Sequence, residues 1–101
     1  MNKVNEKVVK NILQKMFDTF AIKNKKYGCS FEVSVDKYGI IAALTRISDK
    51  FNRIENLILH NDEGTDDETV MDTLIDMANY CVMTAAYMKG TKEENGENNE
   101  G

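Results

Sequence analysis

Residues 77–88, MANYCVMTAAYM, carry no charge in a chain of which 30% is charged. The chain has no proline and is rich in good helix formers, so this segment is expected to be helical. A helix apolar all round must be covered all round. Two neighbouring helices in a chain of 101 residues cannot readily do that, so the segment predicts a homodimer or higher homo-oligomer. A membrane span is the competing explanation, but it needs about 20 apolar residues. This run is shorter and has Asp76 at its edge, so no membrane contact is expected.

Apolar positions recurring every three to four residues mark three main helices and an all-α fold. The first covers about residues 3–25, with Val9, Leu13, Met16, Phe17 and Phe20 on one face, and ends in the basic stretch KNKK before Gly28. YGCSFEVS, residues 27–34, reads as a connector in which SFEVS is briefly extended. The second helix runs from about Asp36 to His60, with Ser34 or Asp36 near its cap and a core stripe of Ile40, Ala43, Leu44, Ile47, Phe51, Ile54 and Ile58. The third spans about 66–89 behind a turn capped by Thr65, with Leu74, Ala78, Cys81 and Ala85 as its core stripe. The helical domain thus occupies residues 1–89, and the polar, acidic residues 90–101 are expected to be disordered.

Charge is divided along the chain. Residues 1–60 hold eleven Lys/Arg against six Asp/Glu, and residues 61–101 hold two against eleven. A net charge of −4 disfavours duplex DNA as a partner, while the basic half suits one small anion. Two isolated cysteines and a single histidine argue against zinc or thiol chemistry. With no secretory segment, the cysteines are expected to be reduced in a cytoplasm. The acidic loop 61–68 resembles a calcium loop only loosely, since it lacks the alternating ligand pattern and the closing glutamate.

Asp72, Asp76, Asn79 and Met83 share one stripe of the third helix, almost opposite its apolar stripe. Arg46, Lys50 and Arg53 form a basic stripe on the second helix, with Asp49 at its edge. Two ladders of opposite charge can meet when antiparallel helices pack, either as salt bridges alone or with a ligand between them. In the ligand reading, Asp49, Asp72 and Asp76 hold Mg²⁺ and Arg46, Lys50 and Arg53 grip phosphates, Arg with a planar fork and Lys as a point charge. Asn79 reads a base edge or ribose, and Tyr27, Phe31 or Tyr80 stacks on the base.

Three motifs sharpen this picture. They are Lys25/Tyr27/Gly28/Ser30/Phe31 with Lys26 adjacent, Arg46/Asp49/Lys50/Arg53, and Asp72/Thr73/Asp76/Asn79/Tyr80. Together, over roughly residues 20–88, they resemble the first nucleotide modification associated domain family, small helical proteins of phages and bacteria. That resemblance implies a nucleotide ligand, with Lys26 a further phosphate contact, and a host cytoplasm if the protein is phage-encoded. The layout is more distantly similar to MazG-like nucleotide pyrophosphatases, all-helical Mg²⁺ enzymes that assemble as dimers or tetramers. Their glutamate cluster on the preceding helix has no equivalent here, where Asp49 and Glu55 lie on different faces. Three functions therefore stand: a nucleotide-binding protein that hydrolyses a nucleoside triphosphate, a non-catalytic binder of a nucleotide or cyclic-nucleotide signal, and a small helical interaction protein.

Overall fold

The computed structural model describes residues 3–27, 29–60, 66–94 and 96, and every regular element among them is an α-helix. Among the described residues there are four helices where three were expected: α1 (Glu6–Tyr27), α2 (Ser30–Tyr38), α3 (Ile41–Leu59) and α4 (Asp67–Glu94). They fall into two compact units, divided between Ser30 and Phe31.

In the first unit, the Asn5 side chain accepts a hydrogen bond from the Val8 amide at 3.0 Å, capping α1. Glu6 in the first turn and Lys25 and Lys26 in the last complement the helix dipole. Met16 is buried and Phe20 half-buried, whereas Val9, Leu13 and Phe17 are exposed.

The additional helix is α2, where a connector was expected. Phe31 and Val35 are one turn apart and both buried, at 5% and 2% exposure. A single i, i+4 pair in nine residues is too short a signal for periodicity, which needs a window of about 11 residues or more. The expected start of the second helix near Ser34 or Asp36 is corrected as well, since both residues lie inside α2. Gly39 separates α2 from α3. Its φ is +85°, and its amide donates to the Val35 carbonyl at 2.8 Å, closing α2 with a left-handed residue. A Cβ at Gly39 would meet nothing within 4 Å, so the cost of adding one is purely conformational. Gly39→Ala is expected to lower stability by about 1–2 kcal/mol in urea denaturation, and Gly39→Asn by less.

α3 and α4 pack antiparallel, as the pairings of Arg46 with Tyr80 and of Lys50 with Asp76 require. α2 runs parallel to α4, joined by Phe31 to Tyr80 near one end and Asp36 to Tyr87 near the other. Ala43 and Ile54 are buried and Ile47 half-buried, so part of the expected α3 stripe is core. Leu44, Phe51 and Ile58, each seven residues from the next, are exposed.

On α4 the covered face is turned by roughly a third of a turn from the expected stripe. Leu74 is 47% exposed, Cys81 and Ala85 are exposed, and Ala78 is half-buried. The buried or half-buried side carries Thr73, Met77, Tyr80, Thr84 and Tyr87. This hydroxyl-rich face can be covered because its threonines are satisfied along their own helix. Thr73 donates to the Thr69 carbonyl at 2.8 Å, and Thr84 to the Tyr80 carbonyl at 2.6 Å.

Thr65, the expected cap of α4, lies outside the described residues. Asp66 takes that role, accepting from the Thr69 amide at 2.8 Å. Hydrogen bonds from the Thr69 hydroxyl and amide hold the Asp66 carboxyl below its usual range. A depressed carboxylate contributes stability above its unfolded pKa and loses it as pH falls through the folded value. The urea midpoint of the wild type is therefore expected to fall, below about pH 4, more steeply than that of Asp66→Asn, which caps without ionising. At its other end α4 continues past residue 89 to Glu94, so the start of the expected acidic tail is helical. Residues 95 and 97–101 lie outside the described residues.

Candidate functional site

Arg46 is the centre of the second unit's polar cluster. It projects from the first half of α3 toward α2 and α4, and is half-buried. Its guanidinium carbon lies 6.0 Å from the centre of the Phe31 ring and 5.9 Å from that of Tyr80. Those rings are 6.0 Å apart and inclined at 31°. Nη2 donates to Ser34 Oγ at 3.1 Å. Three helices thus hold one guanidinium by two ring contacts and a hydroxyl, which restrains its planar fork. Among the described residues, no carboxylate lies within ion-pair distance of it. Arginine has five N–H donors and stays charged, so most of its hydrogen-bonding capacity is uncommitted to protein carboxylates.

One turn along α3, Lys50 Nζ lies 3.2 Å from Asp76 Oδ2 on α4. The Lys50 and Asp76 side chains are 29% and 50% exposed, so water screens the pair and it contributes at most about 1 kcal/mol. The two charged ladders expected from the sequence therefore do meet, through this one pair among the described residues. Arg53 and Asp49 on α3 and Asp72 on α4 are exposed, and Asn79 and Tyr80 are half-buried. Phe31 has almost no free surface, so its ring packs against Tyr80 and Arg46 rather than presenting a face to a base. Lys26 and Tyr27 end α1 and belong to the other unit.

Mg²⁺ prefers near-octahedral oxygen ligation. Among the described residues, no three His, Cys, Asp or Glu side chains come together to hold a metal. The donors Asp49, Asp72 and Asp76 thus do not fit a resident ion held by one chain.

Ser34 is the contact that the sequence reading missed. Once α2 is recognised as a helix, Ser34 falls three residues after Phe31 and beside Val35, on the flank facing Arg46. A second unforeseen link joins the far end of α2 to α4. The Tyr87 hydroxyl donates to Asp36 Oδ1 at 2.6 Å, and this bond holds the phenol above its usual pKa.

Among the described residues, no helix is long and apolar enough to cross a membrane. Comparisons with curated proteins and with solved structures gave no match. A family model described as nucleotide modification associated domain 1 matches residues 23–88. That span takes in α2, α3, the Arg46 cluster and most of α4, and the chain belongs to the nucleotide modification associated domain 1 family.

Proposed function

We propose that the protein binds a nucleotide through its phosphate groups, with Arg46 as the principal contact. The observation that carries this reading is the guanidinium of half-buried Arg46, held by Phe31, Tyr80 and Ser34 and not neutralised by a carboxylate among the described residues. A planar fork held in one orientation matches two phosphate oxygens. Lys50, one turn away and only loosely engaged by Asp76, supplies a second positive charge. Asn79 and Tyr80, on the adjoining face of α4, are the proposed base or ribose contacts. The family name agrees with a nucleotide-related role.

Because the carboxylates do not gather around one point, the proposal is for binding without a resident metal. Calorimetry with a panel of standard and base-modified nucleoside mono-, di- and triphosphates, with and without Mg²⁺, tests it. Affinity should persist in EDTA and should fall for the nucleoside without phosphate. Chromatography of the same mixtures should return the nucleotide unchanged. Monophosphate and pyrophosphate among the products would replace the binding reading with a hydrolytic one.

A further inference from the structure

The outward face of α4 has the spacing of a seam. Leu74, Ala78, Cys81, Ala85 and Met88 recur at alternating intervals of four and three residues, the pattern that lets one helix pack along another. Leu74 and Met88 are 47% and 56% exposed, and the flanking Val82 is 57% exposed. The ends of the stripe carry opposite charges. Asp67, in the first turn, continues it at one end, and Lys92, in the last turn, continues it at the other. Both are exposed and lie on the apolar face, not on the side against α3.

We infer that this face is covered by α4 of a second copy of the chain, running antiparallel. In that orientation each large residue opposes a small one or fills a matching layer. Leu74 meets the partner's Ala85, Met71 meets the partner's Met88, and Ala78 meets the partner's Cys81 beside the two-fold axis. Asp67 then meets the partner's Lys92, and Glu68 lies at the end occupied by the partner's Lys89. A parallel arrangement would instead set Asp67 against itself and Lys92 against itself, so charge selects the direction. The contact is isologous, closing on itself as a dimer. It extends over about 37 Å of helix, from Asp67 to Lys92.

Sedimentation equilibrium on the full chain tests the inference, with thiol cross-linking to fix the register. The wild type should be a dimer at micromolar concentration. Cys81→Glu, at an exposed position, should keep its helical circular dichroism while its dimer dissociation constant rises about a hundredfold. Asp67→Lys and Lys92→Asp should each weaken the dimer about twofold to fivefold, and combining them should restore it. In a Cys29→Ser background, Ala78→Cys should form a disulfide-linked dimer with the partner's Cys81 on mild oxidation, and Ala86→Cys should not. A wild-type monomer, a dimer indifferent to Cys81→Glu, charge substitutions that do not rescue each other, or equal cross-linking at positions 78 and 86 would each overturn the inference. A dimer that survived Cys81→Glu but dissociated on Phe51→Glu would assign the contact to the exposed stripe of α3 instead.

Discussion

Replacing Arg46 by alanine is expected to lower nucleotide affinity by about tenfold to a hundredfold, the cost of losing one or two charge-assisted hydrogen bonds. The substitution also removes a guanidinium that packs against two rings and binds Ser34. That part should lower stability by about 1–2 kcal/mol. Two further substitutions separate binding from folding. Arg46→Met keeps most of the stem and offers a thioether to the two rings, so it should recover part of the stability lost in Arg46→Ala while affinity falls as far. Arg46→Lys keeps the charge but loses the fork, and should lie between the wild type and alanine. Unchanged affinity in Arg46→Met would leave the cluster as packing alone and remove the proposed function.

Phe31→Ala is expected to have the larger effect on stability, about 3–5 kcal/mol. Phe31 is 5% exposed and is the largest side chain in the small buried set of the second unit, which otherwise comprises Val35, Ala43, Ile54 and Thr73 among the described residues. Domains of this size are commonly stable by only about 5–15 kcal/mol in total. A loss of this order should therefore leave a substantial fraction of the chain unfolded near physiological temperature. Phe31→Leu preserves most of the volume and should cost about 1–2 kcal/mol. Circular dichroism in urea distinguishes the two. Calorimetry on the leucine variant adds a functional measure: with one ring gone from beside Arg46, its affinity should fall although Arg46 is intact.

The helical class, the long helices and the meeting of the two charged ladders were legible because each rests on repetition over several turns. Lys50 reaches Asp76 as the stripes imply. The errors lie where the signal was short or two-sided. α2 offers only Phe31 and Val35 to mark its buried face, and an apolar pattern that runs on across Gly39 hides the break there. The rotated face of α4 has a different cause. Hydrophobicity identified Leu74, Cys81 and Ala85 as inward because apolar residues belong in a core. It did not account for threonines whose hydroxyls are satisfied by their own helix, nor for tyrosines that pack by their rings. Arg46, Lys50 and Asp76 were identifiable as candidates, but the role of Ser34 required knowing that α2 was helical.

The threonines on the inner face of α4 have a consequence for alignment. A hydroxyl bonded to the carbonyl four residues earlier makes no demand on the helix across from it. The hydroxyls of such a face therefore do nothing to fix where α3 sits along it. The contacts of Arg46 with Tyr80 and of Lys50 with Asp76 add direction to the packing of the buried Ala43 and Ile54 in marking the observed seat. The residues proposed to grip phosphate therefore also help to mark the height of one helix against the other. Substitutions at Arg46 or Lys50 that altered the proposed ligand contacts would also remove one of the marks of where α3 sits along α4.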